Sequence, residues 1–144
     1  MNITKQVRQL SQTETYREQV RLLRSVPGIG VLTAMTILTE IESINRFRNI
    51  DNMCGYIGLV PSTKSSGEKE RTGDITPRGH NVLRTAIIES SWTAIRNDPA
   101  LMKNYLTYIK RMDSNKAIIK IAKKLLSRIR FVLTNNKPYT CSIV

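Results

Sequence analysis

The sequence predicts an all-α domain with a long polar loop and a basic C-terminal helix. Apolar residues recur every three or four positions through most of the 144 residues, and no stretch alternates apolar and polar residues as a half-buried strand does. Asp98-Pro99 and Thr76-Pro77 each pair a helix N-cap with a proline suited to the first helical turn. We expect residues 1–11 to form an extension, residues 12–139 one domain, and residues 140–144 a tail.

The chain is strongly basic, with a net charge of +12 and a pI near 10.2. Such a charge indicates a polyanionic partner such as nucleic acid. A membrane surface is the competing partner, but no apolar run approaches the roughly 20 residues of a spanning helix. The N-terminus has no apolar signal core, and the two cysteines are far apart in sequence, so we expect a cytoplasmic, nucleoid-associated protein without membrane contact.

The first half of the chain predicts two helices joined by a tight turn. Residues 12–24 have helical spacing, and residues 30–44 form an apolar helix that places Leu32 and Met35 in the core. Between them, Gly28 and Gly30 flank Ile29. Val26, Gly28, Ile29, Gly30 and Ala34 match the pattern of a helix-hairpin-helix, which commonly grips DNA backbones through glycine amides. The alternative is a close-packed αα-hairpin with Ile29 in the core.

A long polar segment follows the short helix predicted at 50–57, which ends at Gly58. The polar run from Pro61 to Asp74 exceeds the roughly 12 residues beyond which loops tend to be functional or disordered. A solvated surface loop is the alternative, because Ser, Thr, Gly and Lys are also typical of such loops. Hydroxyls and cations crowd this segment, which suits phosphate chemistry: Ser62, Thr63, Ser65, Ser66, Lys64, Lys69, Arg71, Arg78 and Arg84.

Three more helices are predicted after the loop, from Pro77 to about Arg96, from Pro99 to Met112, and from Ser114 to about Thr134. In the first of these helices, Val82 and Leu83 are among the expected core residues, and Trp92 is expected in the core or an interface rather than as a base-stacking platform. Residues 101–144 carry ten basic residues and one acid. The last helix has a basic stripe opposite its apolar one, formed by Lys116, Lys120, Lys123 and Arg130. A solvated face normally mixes charge signs, so we favour contact with a DNA or RNA backbone.

Several motifs follow one another from about Leu22 to Tyr139: SVPGIGVLTA, RF…YIGLVP, SSG, ITPRG…LR and the final KPY. Together they resemble the C-terminal domain of the IS110/IS116 family of insertion-sequence transposases, known as bridge-RNA-guided serine recombinases. The resemblance implies a transposase domain in which Ser66, directly before Gly67, is the nucleophile for DNA strand cleavage and exchange. The residues we assign to phosphate or DNA binding are Gly28, Gly30, Lys64, Gly67, Lys69, Arg71, Arg78, Arg84, Lys116, Lys120, Lys123 and Arg130.

The sequence departs from the family pattern at two positions, since Pro77 replaces a usual lysine and His80 a usual asparagine. His80 is a candidate base or an inert surface residue. The resemblance also implies a RuvC-like N-terminal domain, in cis or in trans, that supplies a divalent metal such as Mg²⁺ and contacts guide RNA, with homo-oligomers forming on DNA. We find no cofactor site in this chain and expect it to be inactive alone. The alternative function is a non-catalytic helix-hairpin-helix DNA-binding module.

Overall fold

The computed structural model describes residues 2–59 and 78–140, and for residues 78–80 the backbone alone. Within these ranges all regular secondary structure is helical and there is no strand, which confirms the predicted all-α class. The helices are α1 (Ile3–Ser11), α2 (Arg17–Arg24), α3 (Val31–Ile41), α4 (Ile50–Ile57), α5 (Arg78–Asn97), α6 (Pro99–Tyr108) and α7 (Ser114–Asn135), with a 3₁₀ turn at Ile44–Arg46.

The C-terminal helix α7 is the central element of the core. It packs against α2, α4, α5 and α6. Its predicted apolar stripe is confirmed, since Ile121, Leu125 and Ile129 are fully buried. These positions are four residues apart, so they lie on one side of the helix and leave the basic residues on the other.

The N-terminal segment differs from the single helix predicted over residues 12–24. The chain forms α1, breaks at residues 12–16, and resumes as α2 at Arg17. The hydroxyls of Ser11 and Thr13 donate hydrogen bonds to the carbonyl oxygens of Arg8 and Leu10, each at 2.7 Å. Short hydroxyl side chains compete in this way with helical backbone bonds, which accounts for the break. Helix α1 packs against α3.

Helix α3 ends at Ile41, three residues earlier than predicted, because Glu42 adopts a left-handed φ of 62°. Arg46 stabilises this end: its Nη1 donates to the Ile41 carbonyl oxygen at 3.1 Å, and its guanidinium lies 4.7 Å from the centre of the Tyr56 ring. The prediction that Leu32 faces the core is wrong, since its side chain is 44% exposed at the start of the helix.

The predicted helix boundaries marked by capping residues are confirmed where the structure describes them. Asp98 accepts hydrogen bonds from the amides of Ala100 and Leu101, and Asp113 caps α7 through the amide of Lys116. Gly58 ends α4 in the left-handed conformation, with φ of 91°. Helix α6 is shorter than predicted and ends at Tyr108.

Two predictions about the packing of α5 have different outcomes. Val82 is 52% exposed, so its predicted place in the core is wrong, whereas Leu83 is buried. Successive residues of a helix point about 100° apart around its axis, so only one of these two neighbours faces the core. Trp92 is half-buried against the core and meets the Tyr105 ring edge-on at 5.7 Å, which confirms its predicted packing role.

Candidate nucleic-acid interface

The basic stripe of α7 lies opposite the buried side of the helix. We call Lys116, Lys120, Lys123 and Arg130 the α7 basic face. Lys116 and Lys120 are exposed, while Lys123 and Arg130 are half-buried. The ammonium of Lys120 lies 5.8 Å from the Tyr108 ring centre, so α6 borders this face on one side. These four cations, at intervals of four, three and seven residues, follow one line along the helix, as contact with a phosphate backbone requires.

Arg130 connects the α7 basic face to the turn before α4. Its Nη2 donates a hydrogen bond to the carbonyl oxygen of Arg48 at 3.1 Å, and its Nε is buried without a hydrogen-bond partner among the described residues. The fold thereby places the exposed Arg48 beside Arg130, although the two are 82 positions apart in sequence. Arg48 was not assigned to the site from the sequence, because only tertiary contact joins it to α7.

The two hairpin glycines have different surroundings. Gly28 has φ of 90°, and a Cβ built on it would stand 2.5 Å from the carbonyl oxygen of Ser90 in α5. Ile29 is buried, as the close-packed alternative requires. Gly30 is the N-cap of α3, is exposed, and has no atom within 4 Å of its hypothetical Cβ. Packing therefore explains the glycine at position 28 but not the one at position 30.

An open hollow of about 570 Å³ lies at the N-terminus of α3, beside Gly30. Arg8 from α1 and Arg24 from the end of α2 line it together with the first residues of α3. The start of a helix has unsatisfied backbone amides and a partial positive charge, so this hollow favours an anion. Neither arginine was assigned to the site from the sequence, because residues 1–11 were predicted to be an extension and residues 12–24 a helix without a role in binding.

Arg84 lies beside the end of α4, where the polar segment leaves the described structure. Its Nη1 is 3.3 Å from the position that a Cβ would occupy on Gly58, and its Nη2 donates to the Asn81 side chain at 2.7 Å. Arg84, which was predicted to bind phosphate, therefore lies next to the start of the polar segment that contains Ser66. The backbone of Arg78 begins α5, while five further predicted residues lie outside the described residues: Lys64, Ser66, Gly67, Lys69 and Arg71.

The described residues contain one buried ion pair and one exposed pair. Arg128 bonds Asp98, whose side chain is fully buried, and Arg21 bonds Glu18 at the surface. The hydrogen bond from Arg21 lowers the pKa of the Glu18 carboxyl. Arg128 also lies 4.7 Å from the Tyr139 ring centre, and the Tyr139 amide donates to the Ser25 hydroxyl oxygen at 2.7 Å. These contacts tie the end of the chain to the hairpin.

Across residues 2–59 and 81–140, no cluster of three or more His, Cys, Asp or Glu side chains could hold a metal ion. In the same part of the chain, no helix is long and apolar enough to span a membrane.

A model of the transposase IS116/IS110/IS902 family matches residues 20–107, from α2 through most of α6 and including Ser66 and Gly67. The chain belongs to this transposase family. The match covers the hairpin, the polar segment and Arg84, but it ends before the α7 basic face.

Three relatives illustrate the similarity. The transposase for insertion sequence element IS1111A of Coxiella burnetii is 30% identical over 86% of this chain, and a putative transposase of Sinorhizobium fredii is 32% identical over 82%. A pilin gene-inverting protein of Moraxella bovis is 28% identical over 88%. The chain spans only 35%, 30% and 40% of the lengths of these relatives. No solved structure matches the chain.

Proposed function

We propose that the chain is a DNA-binding catalytic domain of a transposase, in which Ser66 is the nucleophile for strand cleavage and exchange during transposition of an insertion sequence. The observation that carries the proposal is the family match over residues 20–107, which includes Ser66 and Gly67. The relatives are named as transposases and as a gene-inverting protein, and both names describe rearrangement of DNA.

The charge distribution supports a DNA substrate. The net charge of +12 includes the α7 basic face, which has no acidic residue after Asp113 in the sequence. Phosphate contacts from Lys and Arg dominate DNA affinity and do not depend on base sequence. We also propose that the hairpin contacts DNA as a helix-hairpin-helix does. The backbone amides next to Gly30, which lies beside Arg8 and Arg24, donate hydrogen bonds to DNA phosphates.

The chemistry is a phosphoryl transfer that conserves the bond energy of the backbone. The Ser66 Oγ forms a bond to phosphorus as one P–O bond of the DNA breaks, the serine proton passes to a base, and the departing DNA oxygen takes up a proton. A DNA hydroxyl then attacks the phosphoserine in the reverse sense and releases Ser66. Cations near the transferring phosphate stabilise its charge, and Arg84, at one end of the segment that contains Ser66, is positioned for that role.

Within residues 2–59 and 81–140, His, Cys, Asp and Glu side chains do not gather in groups of three or more that could hold a metal ion. We propose that a RuvC-like domain supplies the metal and contacts guide RNA, and that the complete enzyme acts as a homo-oligomer on DNA. No step assigned above to Ser66 or Arg84 requires the ion.

The experiment combines the chain with a RuvC-like domain from a relative, Mg²⁺, guide RNA and labelled element-end DNA. We expect a detergent-resistant adduct between protein and DNA that Ser66→Ala abolishes while DNA binding is retained. The matched control is Ser65→Ala, which removes the neighbouring hydroxyl and should leave the adduct unchanged. A full-length relative serves as the positive control for the assay.

The alternative is a non-catalytic DNA-binding module, which the exposed cations of α7 favour because they need no nucleophile to bind DNA. Under this alternative the wild-type chain and Ser66→Ala bind DNA equally and neither forms an adduct, although the full-length relative does. That result would overturn the catalytic role of Ser66 and leave DNA binding in place.

A further inference from the structure

A second basic surface lies on the side of the domain built by the N-terminal helices. Arg8 in α1, and Arg17 and Arg24 in α2, line two adjoining hollows that share Arg24 and Val31. We call these three residues the arginine surface. All three side chains are exposed, and within residues 2–59 and 81–140 none of them forms an ion pair with a carboxylate. Arg21 also lines one hollow, but Glu18 neutralises it.

The arginine surface and the α7 basic face are built by different helices. On α2, Val20, Leu22 and Leu23 are buried and the arginines are exposed. Helices α2 and α7 are in contact, and each turns its buried side toward the shared core. Each basic row lies opposite the buried side of its own helix, and no residue of α7 lines either hollow, so the two basic rows form separate surfaces.

The composition of the arginine surface fits phosphate groups. A guanidinium is planar, is weakly hydrated, and presents paired N–H donors that match two phosphate oxygens. Gly30 borders the same hollow without a side chain, so a backbone can approach the start of α3 closely. The wall residues Val31, Leu32 and Thr33 offer little that would recognise a base edge.

We propose that the arginine surface binds the phosphodiester backbone of a second segment of duplex DNA, separate from the segment held by the α7 basic face. This inference rests on the proposed function, because it takes DNA as the ligand. Strand exchange joins two DNA segments, and a domain with two separate basic surfaces can hold one segment on each. The chain then binds two short duplexes, and loss of either surface leaves one.

The test measures how many duplexes of about 12 base pairs, a little over one helical turn, bind the full chain, by sedimentation of labelled DNA with protein at low salt. We expect two duplexes for the wild type and one for Arg8→Gln/Arg17→Gln/Arg24→Gln. We also expect one for Lys116→Gln/Lys120→Gln/Lys123→Gln. The control Arg96→Gln/Lys103→Gln/Arg111→Gln removes the same charge at exposed sites outside both surfaces and should still bind two. Circular dichroism confirms that each variant is folded.

Salt dependence gives a second measure of the same proposal. Each phosphate that a substitution leaves without its cation should reduce the slope of log affinity against log salt by about 0.9. The single variant Arg17→Gln, which keeps the other two arginines of the surface, should therefore show a slope for that duplex reduced by about 0.9.

Three results would overturn the inference. If the arginine variant binds two duplexes with unchanged affinity, or if the wild type binds one duplex that only the lysine variant fails to bind, the arginine surface holds no DNA. If an RNA duplex of the same length displaces DNA from the arginine surface but not from α7, the ligand of the surface is RNA. Each of these results leaves the proposed function standing, whereas absence of DNA binding by the wild type overturns both.

Discussion

Gly28 lies against the carbonyl oxygen of Ser90, so that a Cβ at position 28 would stand 2.5 Å from that oxygen. The glycine also has φ of 90°, which side chains rarely tolerate. Close approach and left-handed geometry together fix the hairpin onto α5. The hairpin is therefore part of the core as well as a candidate contact for DNA.

The first prediction tests the packing role of Gly28 in the hairpin. Gly28→Ala should lower the free energy of unfolding by about 2 kcal/mol or more, because the added methyl group meets backbone and adopts a strained φ. Gly30→Ala is the matched control: its Cβ points into open space and its φ is −102°, so the loss should be much smaller. Urea unfolding measures both. Equal losses would contradict the packing that we describe at Gly28.

The second prediction concerns Asp98, whose buried carboxylate caps α6 and bonds Arg128. Asp98→Ala should reduce the free energy of unfolding by about 3 kcal/mol, because it removes a cap and leaves a half-buried guanidinium without its partner. Asp113→Ala removes a cap at an exposed position and should cost about 1 kcal/mol. Thermal or urea unfolding decides the matter, and a smaller loss for Asp98→Ala than for Asp113→Ala would refute it.

The third prediction distinguishes two residues of the α7 basic face. Arg130→Gln should lower both DNA affinity and the free energy of unfolding, the latter by about 1 kcal/mol, because its Nη2 bonds the Arg48 carbonyl oxygen. Lys116→Gln should lower DNA affinity alone, since the Lys116 side chain is exposed. Filter binding and urea unfolding of the same samples provide the comparison. Identical stability losses in the two variants would show that the Arg48 contact contributes nothing.

The fourth prediction concerns the buried Cys54. Burial raises the pKa of its thiol. The positive charge of Lys123 opposes this increase in pKa, and the negative charge of Asp51 adds to it. In a Cys141→Ser background, Cys54 should react slowly with a thiol reagent at pH 8 and rapidly in urea, because little thiolate forms in the fold. Unfolding releases a proton above the ordinary thiol pKa of about 8.5, so the free energy of unfolding should fall as pH rises through that value.

The control for this prediction is Cys54→Ala in the same background, which should lack the thiol contribution to that pH dependence. Rapid reaction of folded Cys54 at pH 8 would be incompatible with the burial of the side chain.

The fifth prediction tests Arg84 in the adduct assay described for Ser66. Arg84→Gln should slow adduct formation by about tenfold or more, because its guanidinium lies at the end of the segment that contains Ser66. Arg96→Gln removes the same charge from the far end of α5 and should leave the rate unchanged. Equal rates in the two variants would assign Arg84 a role in capping α4 only.

The helices were predictable where local chemistry marks their ends. Asp98, Asp113 and Gly58 act through atoms within a few residues of themselves, so their effect is visible in the sequence. The break before α2 was not predicted, because it depends on whether the Ser11 and Thr13 hydroxyls or the backbone amides donate hydrogen bonds to the nearby carbonyl oxygens. The exposure of Leu32 and Val82 was also missed, since periodicity defines a face but not its exact edges.

The candidate site divides in the same way. The α7 basic face was predicted as a row because helical spacing alone places its four residues on one side. Arg8 and Arg48 could not be assigned from the sequence. Arg8 lies beside Arg24 and Arg48 beside Arg130 only because helices distant in sequence pack together.

The sequence by itself determined the all-α class, the capped helix ends, the basic α7 row and the motifs of the transposase family, because all of these depend on neighbours within a few turns of chain. Only the tertiary structure decided that Gly28 serves packing against Ser90, that Arg84 stands beside Gly58, and that Arg8 joins Arg24 at the hairpin. Such relationships depend on how helices pack, and the packing is set by the whole core at once.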